Sequence, residues 1–131
     1  MNQPVDDLQV TKVLSVALSL GMEGAALKGE LQRRGITINY VVNGIDASFI
    51  LDSEGFEIGS SKSSPLNPVG LVSIFADRRT SHQFLSREIS FSSALASGGM
   101  RVTGSKEKLS WLLAYLEPIH QGYAVALREA P

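Results

Sequence analysis

The chain contains no cysteine, so disulfides and thiolate metal sites are excluded at the outset. Histidine is almost as scarce: His82 and His120 lie far apart, neither in a cluster with metal-ligand spacing, and no metal site is expected. Charge of one sign is also lacking. With 19% charged residues and a formal net charge of −1, nothing favours gripping phosphate backbones or an anionic membrane, so nucleic acid is not an expected partner. Long hydrophobic runs are absent too. The most apolar stretch, residues 13–20, is interrupted by Ser15 and Ser19 and falls short of the roughly 20 residues a membrane span needs. The opening Met1-Asn2-Gln3-Pro4-Val5-Asp6-Asp7 has neither the positive region nor the apolar core of a signal peptide, and residues 126–131 carry no targeting signal. The expectation is a soluble cytoplasmic protein without stable membrane insertion.

What is present is ordinary for a packed fold: 44% apolar residues over 131 positions, twelve glycines and five prolines. No repeat or linker interrupts the pattern, so residues 1–131 read as a single domain with one core. Residues 6–34 read as one helix or two, because Val10, Val13, Leu14, Ala17, Leu18, Leu27 and Leu31 recur at helical spacing. Gly21, Gly24 and Gly29 each cost about 1 kcal/mol against alanine, which predicts a break near 21–24. From Ile36 the period changes to two, and the β-branched run through Val42 predicts a strand. Asn43-Gly44 signals a tight type I′ hairpin into a second strand at 45–51. Asp52-Ser53-Glu54-Gly55 turns into a third strand at 56–59.

After the polar stretch 59–68, residues 69–75 read as a strand, with a helix starting at Asn67-Pro68 as the alternative. Short helices are expected at 80–87 and 90–96, a last strand at 100–103, and an amphipathic helix capped by Ser105. Its stripe of Leu109, Leu112, Leu113 and Leu116 ends before Pro118, and residues 119–131 are either a short docked helix or a frayed end. The class is α+β, with an N-terminal helix and a C-terminal amphipathic helix.

Catalytic chemistry is not legible. No Gly-x-Ser-x-Gly elbow, phosphate-binding loop or dinucleotide fingerprint occurs. Asp52 and Glu54 sit in a turn, the many serines lack a neighbouring base, and no enzyme or cofactor is expected. Arg78-Arg79 and His82 read as solvated surface, and His120 as a residue of the tail.

The segment Ile89-Ser90-Phe91-Ser92-Ser93-Ala94-Leu95-Ala96-Ser97-Gly98-Gly99-Met100-Arg101-Val102-Thr103-Gly104-Ser105 resembles the C-terminal signature of the sterol carrier protein (lipid-transfer) family. Ala94-Leu95, Gly98, Met100-Arg101-Val102, Gly104 and the leucine stripe stand at the matching places, with Ser105 where the family has Asp or Asn. More weakly, the resemblance spans residues 20–118. It implies a five-stranded, largely antiparallel sheet with helices on one face and an apolar tunnel between them. A fatty acyl chain, sterol or other lipid would occupy that tunnel, with Phe84, Leu85, Phe91, Leu95, Met100, Leu112, Leu113 and Leu116 as its wall. The plain alternative is that these side chains fill a closed core. A second resemblance points elsewhere. Residues 44–61 are similar to the first hairpin of the roadblock family of homodimeric, GTPase-regulating scaffold modules, with residues 111–116 as that fold's last strand. That reading requires 36–42 to be helical and 109–117 extended. A homodimer is required under it and open under the first.

Overall fold

The structure is a computed structural model that describes residues 6–45, 47–59, 70–104, 107, 109–110 and 113–129. Two helices lead, α1 (Asp7–Gly21) and α2 (Ala25–Arg34), separated at the expected glycine break. Asp6 caps α1 by accepting from the Gln9 backbone N–H at 2.7 Å, and Val10, Val13, Leu14, Ala17 and Leu18 make its buried stripe. Gly35 ends α2 in the left-handed conformation that costs glycine least. The side chain of Glu30 is buried inside α2, yet it is held by Arg33 at 2.6 Å and Arg34 at 2.8 Å.

The strands are β1 (Thr37–Val42), β2 (Ser48–Asp52), β3 (Gly55–Gly59), β4 (Leu71–Ala76) and β5 (Met100–Thr103). They form one sheet in the order β3-β2-β1-β4-β5, antiparallel except for the central β1–β4 pair. Period-two alternation aims Ile38, Tyr40 and Val42 at one face, beside Phe49 and Leu51 of β2 and Val72, Ile74 and Ala76 of β4. This face is buried under helices. The opposite face carries the half-exposed Asn39, Val41 and Phe75, and the Arg101 guanidinium lies 5.1 Å from the Phe75 ring centre.

After β4 come α3 (Arg78–Leu85), capped by Asp77, and α4 (Phe91–Ala96), capped by Ser90. Residues 109–110 are helical, a 3-10 turn follows at Leu113–Tyr115, and α5 (Glu117–Glu129) closes the fold. The helix α5 packs along α1, where Gly122 lies directly against the backbone of Ala17.

Several expectations need correction. The tight Asn43-Gly44 hairpin does not form: among the described non-glycine residues only Arg87 has positive φ, so Asn43 does not adopt type I′ geometry. Instead Gly44 alone takes φ +88°, the Ile45 N–H donates to the Val42 carbonyl, and Ile45 and Ala47 are buried in a longer connection. The helix expected to run to Leu116 changes to a 3-10 turn at Leu113, and Pro118 belongs to the first turn of α5 rather than marking a stop. Residues 119–129 are therefore a docked helix. The roadblock reading fails on both assignments, since Thr37–Val42 is a central strand and 109–110 are helical. The alternative Asn67-Pro68 helix start and the Ser105 cap lie outside the described residues.

Candidate ligand site

Between the covered face of the sheet and the helices lies an apolar cavity of about 40 Å³. Ile38 and Tyr40 of β1, Leu51 of β2 and Ile74 of β4 form its floor. Leu18 of α1, Phe84 and Leu85 of α3, and Leu109, Leu116 and Ile119 form its walls. The floor follows from the alternation of the strands: Ile38 is paired with Leu51 on one side and Val72 on the other, and Tyr40 with Phe49 and Ile74. Tyr40 shows the space only its ring. Its hydroxyl bonds the Ser81 hydroxyl at 2.5 Å, and burial pushes its pKa up to about 12, with Ser81 opposing and Asp77 adding to the shift. Among the described residues no charged side chain reaches this cavity, so it offers dispersion and water exclusion without a polar anchor.

Of the eight side chains expected to line a tunnel, Phe84, Leu85 and Leu116 do so. Phe91 lies behind the wall, meeting Phe84 edge to face at 5.9 Å between ring centres, and Leu95 packs partly buried against the core. Met100 is buried in β5 opposite Ala76, and Leu113 is half-buried in the 3-10 turn. Leu112 lies outside the described residues. The strand residues Ile38, Tyr40, Leu51 and Ile74, and also Leu18, Leu109 and Ile119, were not among those expected. The alternation of residues 36–42 was the available signal for the floor, since every second side chain of a half-covered strand faces the helices.

His82 is not a surface residue. Its Nδ1 lies 2.8 Å from the Tyr123 hydroxyl on α5, and its Nε2 lies 3.5 Å from Glu88. Desolvation holds the imidazole below its usual range, and the Glu88 carboxylate pulls in the opposite direction. Burial raises the Tyr123 phenol well above its ordinary pKa. His120 is half-buried on α5, its Nδ1 3.1 Å from the Leu85 carbonyl. Arg78 pairs with Asp7 of α1, so it is not a free solvated cation. Among the described residues, no cluster of three or more metal-binding side chains occurs and no single helix is long and apolar enough to cross a membrane.

No family model matches the chain, and no curated protein sequence matches it. Solved structures do. The fold is that of the sterol carrier protein 2 domains. Sterol carrier protein 2 from Yarrowia lipolytica, in its apo form, superposes with a TM-score of 0.61 at 17% identity, over 92% of this chain and 98% of its own. The sterol carrier protein domain 2 of Helicoverpa armigera gives 0.60 at 16% identity, over 90% and 91%. A stereoselective inverting sec-alkylsulfatase from Pseudomonas sp. gives 0.55 at 18% identity; it matches 75% of this chain, which spans only 15% of that enzyme. The same fold therefore occurs both as a small carrier domain and as one part of a larger enzyme.

Proposed function

We propose that this chain binds an apolar, lipid-like molecule between the sheet and the helices and passes it between membranes or proteins. The observation that carries this is the cavity: its described lining is apolar, it sits on the covered face of the sheet, and the fold is one found in lipid carriers by name. The physics is sufficient without a polar anchor. Burial of an alkyl chain contributes about 0.8 kcal/mol per methylene.

Size sets a condition. Ligand sites occupy roughly 300–1,000 Å³, whereas this cavity is about 40 Å³. Binding therefore requires the wall carried by α3 and α5 to move away from the strands. Native mass spectrometry after mild purification, with organic extraction of the same sample, tests the reading. Co-purified lipid, or saturable uptake of a fluorescent long-chain probe by lipid-free protein, is the expected result. A protein that carries nothing and takes up neither acyl, sterol nor isoprenoid probes refutes it.

A further inference from the structure

The wall that must move is tied together by a histidine. His82 lies on α3, close in sequence to the cavity-lining Phe84 and Leu85, and its Nδ1 is 2.8 Å from the Tyr123 hydroxyl on α5. The two helices are held unequally. Along α5, Gly122 presses directly on the backbone of α1. At the seam between α3 and α5 the links are polar: His82 with Tyr123, the Leu85 carbonyl with His120, and Arg87 with Glu117. With only eight residues, and followed by Arg87 at a φ of +65° that costs a non-glycine residue energy, α3 is the side that yields.

The hydrogen inventory of this link depends on the charge of His82. Its Nε2 lies 3.5 Å from the Glu88 carboxylate, which only accepts, so in the neutral ring Nε2 carries the hydrogen and Nδ1 accepts from the Tyr123 O–H. A second proton must sit on Nδ1. The ring then donates to Tyr123, whose own hydrogen has to turn away. The small space beside both groups is walled by apolar side chains of α1 and β1, together with Arg78 and Ser81. The Arg78 guanidinium accepts nothing, and the Ser81 hydroxyl is already bonded to that of Tyr40. Glu88 is about half exposed, so solvent screens the attraction that would offset a buried imidazolium. Burial accordingly outweighs Glu88 in holding the imidazole below its usual range. His120 differs, because its Nδ1–H can donate to the Leu85 carbonyl in either charge state.

We infer that His82 is a proton-operated catch on the cavity wall: neutral, it ties α3 to α5; protonated, it frees α3 to swing away from the strands and open the apolar space. This assigns regulation to the ligand site proposed above and rests on that reading for its purpose. Exchange of the ligand is then faster on the acid side of neutrality.

The test needs no ligand. Backbone hydrogen exchange, corrected for its intrinsic dependence on pH, compares the α3 amides of Ser81 and Ser86 with the α1 amides of Val13 and Leu14. Between about pH 7.5 and pH 5, the span in which histidine titrates, protection of α3 is expected to fall roughly three- to tenfold while that of α1 holds. His82→Gln should abolish the fall. Glu88→Gln, a change at the surface, removes the carboxylate that eases protonation and should move the fall to lower pH. Equal losses in α3 and α1, a fall that persists in His82→Gln, or one that Glu88→Gln leaves in place overturns the inference, and the apolar-ligand reading stands. If His82→Gln does not fold, the Glu88→Gln shift decides alone. A protein that behaves as expected here yet takes up no apolar probe keeps the catch and loses the ligand.

Discussion

Replacing Gly122 with alanine should destabilise the protein, although alanine is the better helix former. A Cβ built at this position lies 2.6 Å from the Ala17 carbonyl oxygen, 3.3 Å from the Ala17 Cα and 3.1 Å from the Leu20 Cβ. Two of these three atoms are backbone and the third is a Cβ bonded to it, so no side chain can simply rotate away; α5 must back off from α1. Overpacking of this kind costs about 1–3 kcal/mol, and the helical preference of alanine returns about 1 kcal/mol. A net loss of up to about 2 kcal/mol follows. The matched control is Gly29→Ala in α2, where an added Cβ meets nothing within 4 Å and the same preference should stabilise by about 0.5–1 kcal/mol. Urea unfolding at unchanged slope is the assay, supported by melting temperatures that move by roughly 4 °C per kcal/mol in a chain of this size. If Gly122→Ala stabilises as Gly29→Ala does, the close α1–α5 contact does not exist, and Ile119 loses the support that places it in the cavity wall.

Further outcomes are expected. Phe49→Ala should cost about 3–5 kcal/mol, because this ring is fully buried at the centre of the covered face; a loss below 1 kcal/mol on denaturant titration contradicts that packing. Ile74→Phe should fill cavity space and weaken probe binding at least about tenfold while costing about 1–3 kcal/mol in stability, and unchanged affinity removes the cavity from the site. The unfolded chain binds a proton at His82 more readily than the folded one, whose imidazole is depressed by burial. This contribution to stability is therefore present above the ordinary histidine range and is lost as pH falls through it toward the folded value. Urea midpoints measured against pH should slope downward on the acid side, and His82→Gln should flatten that slope. Asp77→Ala removes the acceptor for the Thr80 N–H at 2.6 Å and should cost about 1 kcal/mol, read as a lower melting temperature.

The elements whose apolar pattern had one interpretation were legible from sequence. Val10, Val13, Leu14, Ala17 and Leu18 gave α1, and the β-branched alternation at 36–42 gave the central strand. Asn43-Gly44 misled because a hairpin signal is local. The Asn43 N–H instead donates to the Ala76 carbonyl at the far end of β4, which extends the β1–β4 pairing into the expected turn. Pro118 fits both the residue after a helix and the first turn of one, and only docking on α1 selects the second. His82 was read as surface because its partner Tyr123 lies distant in sequence; a polar residue buried by pairing carries no local mark. The site was half visible for the same reason. The leucines of the segment before α5 stand out as a stripe, but the strand residues that complete the cavity become its floor only once β2 and β4 flank β1.

The parallel pairing of β1 with β4 governs how the molecule assembles. Thr37 stands opposite Leu71, with the whole β2–β3 hairpin and residues 60–69 between them in sequence, so the centre of the sheet cannot zip up from neighbouring turns alone. Chain closure through that span must come first, which makes the middle of the sheet a late, kinetically demanding event compared with the hairpin beside it. The penalty is nearly indifferent to length: doubling the intervening chain adds only about 0.6 kcal/mol. Insertions between β3 and β4 should thus slow refolding slightly and leave equilibrium stability almost untouched.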